Sequence, residues 1–180
     1  MMSKDLIAEA QKRAREWLAI LGIGLEGEAR SVGLLADAER LVLARDYAGA
    51  GARLRAVALS GPDALLTDFA WYRLGKFYDE NLHLRARASE AFEQCRPDRL
   101  PTGLAKEVLH DLARCLLEQG ASERALAAVS VFMTAAPDDR RRPAVLLLKG
   151  RCHERLGQRD EAARTYREAR TLDPDGPVGS

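Results

Sequence analysis

PAVLLLKGRCHERLGQRDEAARTYREARTLDPD, residues 143–175, decides how the rest of the chain is read. It holds two short helical patterns that meet at Leu156-Gly157-Gln158, where a glycine permits a sharp reversal of the backbone. Small, apolar or aromatic residues recur along both patterns at Leu146, Gly150, Ala162, Tyr166 and Ala169, and Pro174 closes the second. Two helices this short share an apolar face that they cannot bury alone, so the segment needs neighbours of its own kind.

Weaker copies precede it. With the small residue that opens each second helix as anchor, the pattern falls at Ala50, Ala88, Ala125 and Ala162, at spacings of 38, 37 and 37 residues. The first copy, 31–64, carries Leu34, Ala38, Leu41, Asp46-Tyr47, Ala50, Leu54, Val57 and Pro62, with Ala38 in place of the first glycine. The second, 68–101, contains FAWYRLGKFYDE and matches through Trp71, Leu74, Gly75 and Tyr78. Its hinge, Asn81-Leu82-His83-Leu84, has no glycine and is one residue longer than the others. The third, 106–139, matches at Leu109, Leu112, Ala113, Leu116, Gly120, Ala125, Val129, Phe132 and Pro137.

In residues 143–175 an apolar anchor (Leu146), two glycines (Gly150, Gly157), small and aromatic residues (Ala162, Tyr166, Ala169) and a closing proline (Pro174) stand where a tetratricopeptide repeat (TPR) has them. The chain resembles a TPR array of four units. The spacings exceed the ideal repeat of about 34 because connectors such as Leu100-Pro101-Thr102-Gly103 and residues 138–142 are longer. The resemblance implies an all-α, right-handed superhelix in which the first helix of each unit lines a concave groove, and grooves of this kind bind partner peptides. Composition agrees with an all-α chain, being rich in good helix formers with only 6% aromatic residues. In the fourth unit, Glu161, Arg164, Arg167, Glu168 and Arg170 surround Ala162, Tyr166 and Ala169, a polar outer face that suits the end of a stack. The expected organisation is an amino-terminal helix and glycine-rich connector over 1–27, the array over 28–175, and a tail at 176–180.

The amino-terminal helix is read over residues 3–21 from Leu6, Ile7, Ala10, Ala14, Trp17, Leu18 and Leu21, spaced three or four apart between charged residues. Gly22, Gly24 and Gly27 then break the pattern. Two readings of its apolar stripe stand side by side: an end cap packed on the first unit, or a homodimer interface with Leu6, Trp17, Leu18 and Leu21 as its contacts.

The 180 residues are 47% hydrophobic and 31% charged, with a formal net charge of +1. That near balance gives no global field to attract nucleic acid and suits helices laced with local ion pairs. No run of about 20 apolar residues is long enough for a bilayer, and charges interrupt any signal-peptide core, so the expected location is cytoplasmic. Cys95, Cys115 and Cys152 form no CxxC pair and each stands at a small-residue position of the repeat, so they read as core thiols. His83, His110 and His153 fall in different units, and no spacing suggests a metal site. Nothing in the sequence arranges a catalytic triad, paired carboxylates or a phosphate loop, and no cofactor or enzymatic activity is expected.

The register of the first helices singles out one constellation. Glu39, Lys76, Arg114 and Arg151 take equivalent groove-facing places, with Leu35, Tyr72, His110 and Leu147 one turn earlier. With adjacent helices roughly 10 Å apart, Lys76, Arg114 and Arg151 would form a cationic ladder for an acidic, extended peptide, diluted by Asp79. Against this, Lys76–Glu80 and Arg114–Glu118 have the spacing of helix-surface pairs worth only a few tenths of a kcal/mol. The TPR subclass that grips heat-shock protein termini needs groove asparagines, whereas the only Asn here is Asn81 at a hinge. The run 138–142, DDRRR, reads as a solvated connector. The expected function is a non-enzymatic protein-interaction module or adaptor. Its alternatives are a chaperone of secretion-system substrates, similar to chaperones of type III translocators, and a structural or regulatory subunit of a larger assembly.

Overall fold

The computed structural model describes residues 4–22, 29–60 and 64–174. Among them are nine α-helices and no strand: α1 Lys4–Leu21, α2 Ala29–Leu43, α3 Tyr47–Ser60, α4 Ala64–Glu80, α5 Arg85–Gln94, α6 Thr102–Glu118, α7 Ser122–Ala135, α8 Arg142–Arg155 and α9 Arg159–Leu172. A short 3-10 turn, Pro97–Arg99, follows α5. The helices from α2 onward pair as antiparallel hairpins, each packing on the next, in a right-handed superhelix. Gly24, Gly27, Pro62 and the tail lie outside the described residues.

All four hinges reverse the chain through one left-handed residue: Arg45 (φ 60°), His83 (φ 55°), Gly120 (φ 83°) and Gly157 (φ 74°). Backbone N–H groups of Asp46, Ala121 and Gln158 then reach back five residues to the carbonyls of Leu41, Leu116 and His153. In the second unit the bond is Leu84 N–H to Tyr78 C=O, six residues back at 2.8 Å, so the extra hinge residue is absorbed without loss of the bond. Asp46 also accepts the N–H of Gly49 at 3.0 Å, capping α3.

Within each hairpin a small residue lets the helices approach. The anchors Ala50, Ala88 and Ala125 are fully buried, as is nearly all of Ala162. Gly75 faces the Phe92 ring and Gly150 the Tyr166 ring. Where the first helix carries Ala38 or Ala113 instead, the equivalent place on the second helix holds the smaller Leu54 or Val129, both buried. The hydrophobic interior forms two clusters, one running from Leu21 through the first two units to Cys115 and one spanning the last two, with Leu112 packed against both.

The connector before α8 leaves Asp138 and Arg140 exposed but is ordered in part by its own charges. Asp139 accepts bonds from the Arg141 backbone N–H at 2.9 Å and Nε at 3.0 Å, and pairs with Lys106 at 3.0 Å. The Arg141 hydrogen bond, helped by Lys106, holds its carboxyl well below the usual carboxylate range.

Candidate functional site: the face built by the first helices

The first helices α2, α4, α6 and α8 stand side by side, and polar side chains tie three of them together. Glu39 Oε2 on α2 accepts Arg73 Nη2 on α4 at 2.8 Å. From α4 to α6, Lys76 Nζ donates to Asp111 Oδ2 at 3.2 Å, Tyr72 Oη donates to Glu107 Oε2 at 2.6 Å, and Arg114 donates to Asp79. The carboxylates of Glu39 and Asp79 are buried, so these pairs are structural ties rather than surface decoration. Burial opposes ionisation of Asp111, yet the His110 hydrogen bond and the Lys76 charge outweigh it and hold its carboxyl below the usual range. Burial, reinforced by Glu107, pushes the Tyr72 phenol well above its usual range.

The cationic ladder expected from sequence is therefore corrected. Lys76 and Arg114 sit at the expected places, but their charges are spent on Asp111 and Asp79 inside the array, because cations of one unit meet carboxylates of a neighbouring unit. Arg151 differs. It is exposed and makes no ion pair among the described residues.

The first half of the face is covered by α1. Its Ala14, Trp17, Leu18 and Leu21 close against Val32, Leu35 and Phe69 around a gap of only about 10 Å³. Trp17 meets Phe69 edge-on at 5.6 Å between ring centres, and the Arg73 guanidinium lies 4.2 Å over the Trp17 ring. Arg13 Nη1 donates to Glu39 Oε1 at 2.9 Å. Leu35 and Glu39, expected in the open groove, are thereby buried. Of the residues in the dimer reading, Leu18 and Leu21 are buried within the chain, and Leu6 and Trp17 are partly so. The helix is more than an end cap, since through Trp17 it reaches past α2 to α4.

What stays open lies along α6 and α8. Glu107 is exposed, His110 is half-buried with Nδ1 at 3.2 Å from Asp111 Oδ1, Leu147 is half-buried and Arg151 is exposed. Arg155 donates to the carbonyl of Leu117, which joins α8 to α6 below this opening. Tyr72 and Asp79, two further expected site residues, are buried and support the face from beneath.

The cysteines are buried and unpaired. Burial pushes the Cys95 thiol far up, the Cys115 thiol up to about 12 and the Cys152 thiol upward, so none is a thiolate near neutrality. His153 is buried with Nδ1 at 2.6 Å from Gln158 Oε1. Among the described residues no group of three or more His, Cys, Asp or Glu side chains is placed to hold a metal ion, and no helix is long and apolar enough to cross a membrane.

Sequence reading missed Arg73, Glu107 and Asp111. A signal for them was present: the four ties join residues 34 or 35 apart, one repeat less about three residues, with opposite charges or a phenol facing a carboxylate.

Residues 143–175 match the family model of the tetratricopeptide repeat. Among solved structures the fold is similar to that of YrrB, described as a TPR protein with an unusual peptide-binding site, with a TM-score of 0.65 and 16% identity over 99% of this chain and 90% of that one. No curated protein matches the sequence. The family match thus covers the last unit, and the likeness in fold extends over the whole chain, whose fold is that of a TPR superhelix.

Proposed function

We propose that the protein is a non-enzymatic, cytoplasmic interaction module that binds a partner peptide or helix across the open faces of α6 and α8. The observation that carries this reading is the contrast along one register. The groove-facing places are filled by α1 at the first unit and tied between α4 and α6 at the second and, through Arg114, in part at the third, whereas His110 is half-open and Leu147 and Arg151 of the fourth carry no such tie among the described residues. Leu147 offers apolar contact and Arg151 an unspent guanidinium for a carboxylate of the partner. The likeness to a peptide-binding TPR protein supports the same reading. Acidity of the partner thus rests on Arg151 rather than on a three-rung ladder.

The test is affinity capture from the native host with the full chain and with Leu147→Ala/Arg151→Glu, read by mass spectrometry. Both changes lie at accessible positions, so the fold should persist in circular dichroism. The reading predicts a partner retained by the first and lost, by ten-fold or more, by the second. Equal capture by both would remove it.

A further inference from the structure

The position of α1 has a precedent in how grooves bind helices: an amphipathic helix lays its apolar stripe into a concave face, with anchors at successive turns. Here Trp17, Leu18 and Leu21 are those anchors, Phe69 and Leu35 are the floor beneath them, and Arg13 reaches Glu39 one turn before Trp17. The equivalent places on α6 and α8 carry no such cover. We propose that α1 is a tethered occupant of the groove, and that the first half of the groove opens to a partner helix of the same chemistry: an Arg, an aromatic residue four positions later, and leucines at the next two inward positions. This rests on the groove-binding reading above and extends it to the half that α1 occupies.

Three features make departure of α1 physically reasonable. Among the described residues it packs chiefly on α2, and it meets α4 at Phe69 and Arg73, mainly through Trp17. Glu39, the buried charge it helps to satisfy, keeps Arg73 on its other oxygen when Arg13 leaves, so no carboxylate is stranded without a cation. On the opposite face of α1, Ile20 is 53% exposed and Ile7 40%. Only residues 22–28 separate α1 from α2, and a short tether supplies an effective concentration on the order of millimolar. A free partner helix therefore binds with its intrinsic affinity reduced by the fraction of chains in which α1 is undocked, and weakening α1 restores that factor.

The experiment uses the full chain with no outside partner. A fluorescent peptide of residues 4–21 is titrated into the wild-type chain and into Trp17→Ala/Leu18→Ala, whose own α1 competes poorly. The proposal expects at least ten-fold tighter binding to the variant. It also expects loss of that binding when Glu39→Arg is added, and recovery with a peptide carrying Arg13→Glu. Hydrogen exchange of the unmodified chain supplies an independent reading, in which amides of α1 exchange at least ten-fold faster than those of α4 and α6. Exchange of all three helices in one cooperative step, or equal peptide binding by both chains while α4 to α9 keep their protection, would overturn the proposal. Neither result depends on Leu147 or Arg151, so this proposal and the α6–α8 reading can fail separately.

Discussion

A Cβ placed on Gly75 would lie 2.5 Å from Cε1 of Phe92, and one on Gly150 would overlap the Tyr166 ring. Phe92 is buried and cannot yield, so overpacking of about 1–3 kcal/mol outweighs the gain of up to about 1 kcal/mol that alanine brings to a helix. Gly33, in α2, has nothing within 4 Å of its Cβ position. In urea titrations Gly75→Ala should therefore lower the midpoint and Gly33→Ala should raise it. These close approaches were legible in the sequence, because glycine recurs in the first helix at the place the repeat requires. The charge of Asp68 was not. Its side chain is buried, Oδ2 has no partner, and Oδ1 accepts only the Arg96 N–H at 3.3 Å, with Arg96 Nε at 3.9 Å. Burial raises its carboxyl above the usual carboxylate range. A raised folded-state value means the folded chain holds the proton more tightly than the unfolded one. The associated stability is present at acid pH and lost as pH rises through the folded value. Asp68→Asn should thus stabilise the protein at neutral pH and lose that advantage in acid, as measured by thermal melts across pH. A gain that persists unchanged at low pH would contradict this account of the site.

At the scale of the element, hairpins and hinges follow from pattern, whereas the ties between first helices follow from pairing across units. A helix-surface reading of Lys76 and Arg114 looks four residues along the same helix, and the structure does hold Lys76 beside Glu80 and Arg114 beside Glu118. Both cations also reach across to a neighbouring first helix, where Asp111 and Asp79 are largely shielded from water. Low local dielectric makes such a cross-helix pair matter more than an exposed one. Arg114→Ala leaves Asp79 buried without its guanidinium and should cost about 2 kcal/mol, less than for a fully buried pair because Arg114 is 29% exposed. Arg164→Ala removes only an exposed pair with Glu161 on α9 and should stay within about 0.5 kcal/mol. Comparable losses from both in chemical denaturation would show that the ties are not what holds α4 to α6. The element that pattern placed least well is α1. Its amphipathicity was plain, but a stripe of apolar residues does not say which surface it seeks, and only the contacts of Trp17 and Arg13 reveal that it lies over the groove.

For the whole molecule, repetition carries most of the fold. Four hairpins in register bury a continuous interior, and α9 presents Arg164, Arg167, Glu168 and Arg170 to solvent at its far end. Function is less legible, because the register that generates the groove says nothing of which groove side chains the array consumes for its own cohesion. Of the residues expected to bind, Leu35 and Glu39 are covered by α1, Tyr72, Lys76, Asp79 and Arg114 are spent between α4 and α6, and His110, Leu147 and Arg151 remain on the open side. The central claim, that a partner lies across α6 and α8, is tested most directly by amide hydrogen exchange on the chain with and without a captured partner. The account predicts added protection concentrated in α6 and α8, around His110, Leu147 and Arg151. Protection confined to the second helices α5, α7 and α9 would contradict it.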